Sequence, residues 1–251
     1  MNLTDFNAFI KSSFGNLVDQ FKENDEYGFN NPLSQEIIRV GFTTNLTPDV
    51  IRRAADNKVQ FIITHHDAWG FLYGVKEQCM RDLRENEISH FYIHLPLDFV
   101  EFGTCNSLLQ EIGIIKKIQQ THYKNNKEII GIGEYYESIT FEELVERITN
   151  SLGEDVKTWK NSNLPIKRVG VLTGAGNSTD LIRQAKEAKC DVYITGEKSL
   201  YSVQYAKFIG MNLIVGSHTF TEVFGVKALV ERLKTQFNEI ETIYLEEEHV
   251  E

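Results

Sequence analysis

Three stretches of the chain set imidazoles beside carboxylates where an apolar run ends. The run "VQFIIT" (residues 59–64) leads directly into His65, His66 and Asp67. The run "SHFYI" (89–93) leads into His94, with Asp98 four positions on. The run "NLIVGS" (212–217) leads into His218, with Glu222 four positions on. Imidazoles with carboxylates suit Zn, Fe, Mn, Ni or Co, and residue type alone does not choose among these metals. If a helix starts at His218, positions i and i+4 share a face, so one ion could touch both His218 and Glu222. Adjacent side chains on an extended strand point to opposite faces, so His65 and His66 join one cluster only if the strand ends there and the backbone turns. Two neighbouring ions, about 3.5–4 Å apart, can share a bridging carboxylate and activate a water.

These groups need a frame that brings strand ends together. "LTPDVIRRAADN" reads as a helix with Thr47 as N-cap and Pro48 in its first turn. "TFEELVERITNSLG" reads as a helix with a capping box of Thr140 and Glu143. The opening segment repeats Leu3, Phe6, Phe9, Ile10 and Phe14 at helical spacing, and "GFNNPL" breaks it. Strand-like and helix-like runs alternate along most of the chain, as they do when helices cover a mostly parallel sheet. The middle differs: 119–138 reads as two strands about a turn at Asn125-Asn126, which implies some antiparallel pairing. The expected organisation is α/β, with a first module at 1–120, a hairpin-and-helix insert at 121–164 and a second module at 165–251. In such sheets ligands lie outside the carboxyl ends of the strands, where the histidines fall.

Two loops that follow strands of the second module could line the same cleft as the histidines. "VLTGAGNSTDL" (171–181) is a glycine-rich strand-to-helix turn in which Gly174, Gly176 and Ser178 could hold an anion, or form a tight turn with a capping serine. "ITGEKS" places Glu197 at another strand end, as an acid/base group or a helix-start carboxylate. His90, His122 and His249 lack such company and read as solvated or locally hydrogen-bonded, and "YLEEEHVE" reads as an exposed acidic tail.

The chain's 251 residues, 41% hydrophobic and 25% charged, are ordinary globular composition. A formal charge of −10 with no long basic run argues against a nucleic-acid surface. No stretch reaches the roughly 20 apolar residues of a membrane span. Cys79, Cys105 and Cys190 are widely spaced and odd in number, which suggests buried free thiols and a cytoplasmic location.

"FIITHHDAW", "FYIHLPLD", "VLTGAG", "VYITGE" and "SHTFTE", in that order, resemble the GTP cyclohydrolase type 2 homologues, the NGG-interacting-factor-three-like dinuclear metal-centre proteins. The resemblance runs over nearly the whole chain. It implies two intertwined α/β modules and a two-metal centre whose ligands fall on His65, His66, Asp98, His218 and Glu222, with Glu222 bridging and His94 alongside. It also implies a ring-shaped homohexamer. Asp67 stands where the family usually has proline, and Glu197 stands in "TGE" where the family has "TGD". All five presumed ligands survive these changes. The implied activity is hydrolysis of a small nucleotide-like substrate, with Glu197, His94 or Asp67 moving protons. The alternative is a non-catalytic metal-binding ring or scaffold. A ring around nucleic acid would follow from shape alone, against the charge.

Overall fold

A computed structural model describes residues 1–124 and 127–251. In chain order its elements are α1 (Leu3–Phe14), α2 (Asn16–Gln20), β1 (Tyr27–Asn30), β2 (Arg39–Asn45), α3 (Pro48–Asp56), β3 (Phe61–His66), α4 (Val75–Glu85), β4 (Ser89–Ile93), α5 (Leu95–Phe99) and α6 (Thr104–Glu111). There follow β5 (Lys116–Gln119), β6 (His122–Lys124), β7 (Lys127–Ile129), β8 (Gly131–Ile139), α7 (Phe141–Leu152), β9 (Lys157–Trp159), β10 (Ile166–Leu172), α8 (Thr179–Glu187), β11 (Val192–Thr195), α9 (Leu200–Phe208), β12 (Asn212–Val215), α10 (His218–Gln236) and β13 (Glu241–Tyr244). They form two compact units, one of 1–100 with 226–248, the other of 101–225 with 249–251. The chain thus leaves the first unit and returns to it, which makes the two α/β units intertwined along the sequence.

In the first unit the sheet order is β1-β4-β3-β2-β13. β2, β3, β4 and β13 pair in parallel, and β1 lies antiparallel on β4 at the edge. Every residue of β3 is buried, as expected of a parallel strand covered on both faces. One face carries α1, whose Phe6 meets Phe61 at 4.7 Å and Phe91 at 5.0 Å between ring centroids, both edge-on. The other apolar cluster joins Ile62 to Val50, Ile51 and Ala54 of α3 and to Cys79 and Leu83 of α4. Thr47 accepts from the Val50 N–H, so α3 starts where its Thr-Pro pair predicts.

In the second unit the order is β5-β8-β10-β11-β12-β9. Among the described residues only the β10–β11 and β11–β12 pairings of this sheet are parallel, so it is mixed rather than mostly parallel. β8 runs between β5 and β10, so the middle of the chain supplies an inner strand. β6 and β7 form a separate antiparallel pair, and the turn expected between them at 125–126 lies outside the described residues. α7 opens with the expected capping box of Thr140 and Glu143.

The start of "GFNNPL", read above as a helix breaker, lies in strand β1. Its alternation, Tyr27 and Phe29 about Gly28, is only two residues long, and pairing with β4 defines it. All three cysteines are buried thiols outside any disulfide, and burial raises the Cys79 thiol to about 11 and the Cys190 thiol to about 12. Among the described residues no helix is long and apolar enough to cross a membrane.

Candidate metal centre

The first unit gathers three imidazoles. His65, His66 and His94 each offer a ring nitrogen, and these atoms all lie within 4.8 Å of one another. The question of how neighbours on one strand share a site has a local answer. The β3–β4 ladder stops at the Thr64–Tyr92 pair, and the Thr64 hydroxyl donates to the His66 carbonyl at 2.6 Å. β3 nevertheless runs on to His66, which pairs with Asn45 of β2, and the two rings come to 4.5 Å. His65 lies 3.5 Å from Asp98 Oδ1 through its Nε2. Asp98 is carried by α5, which follows β4 directly after His94.

Each of these rings is held by its Nδ1. That atom lies 2.9 Å from the Ile93 carbonyl in His65, 2.8 Å from Asn45 Oδ1 in His66 and 2.6 Å from Glu26 Oε2 in His94. An acceptor at Nδ1 fixes the Nδ1–H tautomer, which turns the Nε2 lone pair toward whatever occupies the cluster. Asn45 is itself gripped: Glu247 accepts from the Thr44 N–H at 2.9 Å, the Asn45 N–H at 3.1 Å and the Asn45 side-chain amide at 2.8 Å. The tail read as exposed and acidic is therefore anchored at Glu247, because the last two backbone N–H groups of β2 donate to its carboxylate. Its last residue behaves likewise in the second unit, where Glu251 accepts from the His218 N–H at 2.6 Å and the Thr219 N–H at 3.1 Å.

The second unit supplies a histidine between two carboxylates. α10 begins at His218, as the i, i+4 spacing requires, and Ser217 Oγ accepts from the Phe220 N–H at 3.2 Å. His218 Nε2 lies 3.2 Å from Glu222 Oε2, and its Nδ1 lies 2.7 Å from Glu197 Oε1. Glu197 is braced by the Asn177 amide at 2.9 Å. Burial disfavours the imidazolium, but the hydrogen bonds and charges of Glu222 and Glu197 outweigh it and raise His218 to about 10. Without a cation in place, a proton therefore holds the two carboxylates together, and a metal taking that position must displace it.

The glycine-rich loop serves this arrangement by its smallness. Gly174 has φ +62°, and its N–H donates to Thr221 Oγ1 of α10 at 3.0 Å. A Cβ there would fall on Glu222 Oε1 and lie 2.9 Å from His218 Nε2. A Cβ at Gly176 would lie 2.5 Å from Thr195 Oγ1. Ser178 caps α8, accepting from the Leu181 N–H at 3.3 Å. Asp67 Oδ1 accepts from Asn30 at 2.7 Å and from the Ala68 N–H at 2.8 Å, and its Oδ2 pairs with Lys76 at 2.8 Å. Glu26, Asn45 and Glu247, which hold two of the histidines, were not identifiable from strand-end spacing.

His90, left above as solvated or locally bonded, is fully buried and locally bonded, 2.7 Å from Thr64 Oγ1 and 3.1 Å from the Asn30 amide. His249 is half exposed, stacks on Phe220 at 3.9 Å and faces Glu154 at 3.2 Å.

Imidazoles with Nδ1 tied back, flanking carboxylates, and a glycine that leaves the carboxylate its room form a donor set that could bind metal ions. An α/β protein of two intertwined units, with histidines and carboxylates of this kind at its strand ends, is a metal-binding candidate of a recognisable class. The chain belongs to the Duf34/NIF3 (NGG1p interacting factor 3) family, whose model matches residues 1–250. It is 28% identical over 236 residues to a protein of Pyrococcus abyssi named GTP cyclohydrolase 1 type 2 homolog, covering 91% of this chain and 92% of that one. Reduced HcgD from Methanocaldococcus jannaschii superposes with a TM-score of 0.79 at 25% identity, over 98% of both chains. A Bacillus cereus protein related to NIF3 has the same fold, with a TM-score of 0.80 at 15% identity over 100% of this chain and 98% of that one.

Proposed function

We propose that His65, His66, Asp98, His218 and Glu222 hold two divalent metal ions, and that the protein uses them to hydrolyse a nucleotide-like substrate. The observation that carries the reading is the uniform tethering of Nδ1 in His65, His66 and His218 to oxygen acceptors, which commits each Nε2 to a ligand. The name of the Pyrococcus abyssi relative supports a nucleotide as substrate. Bound ions of this class supply Lewis acidity and lower the pKa of water.

The chain's own residues do the rest. Glu26 orients His94, which is 40% exposed and thus reachable by a substrate proton, so His94 is the better placed proton carrier in the first unit. Asp67 is committed to Asn30, Ala68 and Lys76 and positions its loop. Glu197 fixes the His218 ring and takes up part of its charge. A ring-shaped homohexamer belongs to the same proposal, with a solution mass six times that of the chain.

The test is metal analysis of the purified protein followed by nucleotide hydrolysis before and after chelation. Metal-dependent turnover that His218→Ala abolishes, with oligomeric mass unchanged, is the expected result. Hydrolysis that persists after complete chelation refutes the reading. Full metal occupancy without turnover leaves the metal centre and removes the enzyme.

A further inference from the structure

Four N–H groups at the start of α10, those of Ser217, His218, Thr219 and Phe220, precede the first intrahelical bond, which runs from the Thr221 N–H to the Ser217 carbonyl. The first turn contains no acidic residue of its own. Ser217 Oγ serves Phe220, and the other three donate to carboxylates from distant parts of the chain. Glu154 Oε1 accepts from the Ser217 N–H at 2.7 Å, from 63 positions away. Glu251 takes the next two. Its Oε2 accepts from the His218 N–H at 2.6 Å, and its Oε1 accepts from the Thr219 N–H at 3.1 Å and the Thr219 hydroxyl at 2.6 Å. The segment that delivers Glu251 is itself tied down within the second unit. The His249 ring stacks on Phe220 at 3.9 Å between centroids and 15° between planes, and its Nδ1 lies 3.2 Å from Glu154 Oε2.

We infer that Glu251 is a positioning residue for the metal ion at His218 and Glu222, and that residues 249–251 dock more tightly when that ion is bound. The inference rests on the metal reading of those two residues and not on hydrolysis. Glu251 acts on His218 in two ways. It fixes the backbone from which the imidazole projects. It also sets a full negative charge against the positive end of a 19-residue helix, whose field opposes a cation beside its first residue. A neutral acceptor would satisfy the same N–H groups and leave that field in place. The coupling is reciprocal: the factor by which the docked carboxylate raises ion affinity is the factor by which the ion raises docking.

The probe is zinc alone, titrated into the full chain against a competing chelator. Glu251→Gln keeps an acceptor oxygen and removes the charge. It should weaken zinc binding by about 3- to 30-fold, the effect of one helix-terminus charge on a divalent ion. That loss should shrink as salt is raised, whereas the loss of a purely structural cap would not. Glu137→Gln removes an exposed charge from β8 near Ile139, which pairs with Ile166 at the end of β10 away from Gly174, and should bind zinc as the natural chain does. The reciprocal effect is read with a glutamate-specific protease, whose cleavage after Glu248 follows the undocked population. Zinc should slow that cleavage in the natural chain by a similar factor, and by less in Glu251→Gln. The inference is overturned if zinc binds the natural chain and Glu251→Gln equally tightly, if the loss is independent of salt, or if zinc leaves cleavage unchanged. A natural chain that binds no zinc overturns both the inference and the metal centre. Zinc binding without turnover removes the hydrolase and leaves the role of Glu251 standing.

Discussion

Replacing Gly174 with alanine separates a backbone cost from a cost to the metal centre, because the second unit contains its own control. Gly153, the C-cap of α7, has φ +68°, and a Cβ there meets nothing within 4 Å. Gly153→Ala therefore pays only for a left-handed backbone, about 1–2 kcal/mol. Gly174 has nearly the same φ, +62°, but its new Cβ would fall on Glu222 Oε1, 2.8 Å from the Glu222 Cδ and 2.9 Å from His218 Nε2. The carboxylate end is the part that can yield, so Glu222 swings away rather than the backbone unfolding. Gly174→Ala should thus lose stability similar to Gly153→Ala in metal-free denaturant unfolding, about 1–2 kcal/mol. It should also lose metal affinity by at least the roughly 10- to 100-fold typical of a disturbed supporting residue. Competitive chelator titration reads the second quantity. If Gly174→Ala retains metal as tightly as Gly153→Ala, Glu222 is not a ligand and the donor set proposed above is wrong.

Three further outcomes follow from other parts of the frame. Glu247→Ala should destabilise by about 1–3 kcal/mol in denaturant unfolding, since the Thr44 and Asn45 N–H groups lose their acceptor, and should weaken metal binding through Asn45 and His66. His90 is held neutral by burial, with its pKa lowered from 6.5 to about 4. Its proton is taken up by the unfolded chain first, so stability is fully present above 6.5 and drains away as the pH falls toward 4. Between pH 7 and 5 that amounts to about 2 kcal/mol, and chemical denaturation at both values should show His90→Phe losing correspondingly less than the natural chain. Phe6→Ala, at a fully buried ring packed edge-on against Phe61 and Phe91, should cost about 3–5 kcal/mol by denaturant unfolding.

What the amino-acid order reveals here, and what it hides, divides by range of interaction. The α3 start at Thr47-Pro48, the α7 capping box, and the facing of His218 and Glu222 across one helical turn depend on neighbours within four positions, and each is legible in the sequence. So is the existence of strand-end histidines at 65, 66 and 94, because a buried apolar run that stops at an imidazole is a local pattern. The partners that orient those rings are distant: Glu26 is 68 positions from His94, and Glu247 is 202 from Asn45. Glu26 lies just before β1, an edge strand of only four residues, and Glu247 lies in a run of like charges whose local reading is a solvated tail. Neither has a local signature, and each acquires its role only when the first unit's sheet has formed.

The His65 tether carries this furthest. Its acceptor is the main-chain carbonyl of Ile93, an atom that every residue type supplies. No side-chain pattern could announce it, and substitution at 93 that preserves the β4 backbone should leave the His65 tautomer unchanged. The tautomer is thus a property of the parallel β3–β4 pairing, which aligns Thr64 with Tyr92 and leaves the next residue of each strand beyond the ladder. A metal site of this kind is encoded twice. Residue identities name the candidate donors, and the folded frame, through strand register at His65 and through distant side chains at the others, sets which nitrogen each one offers.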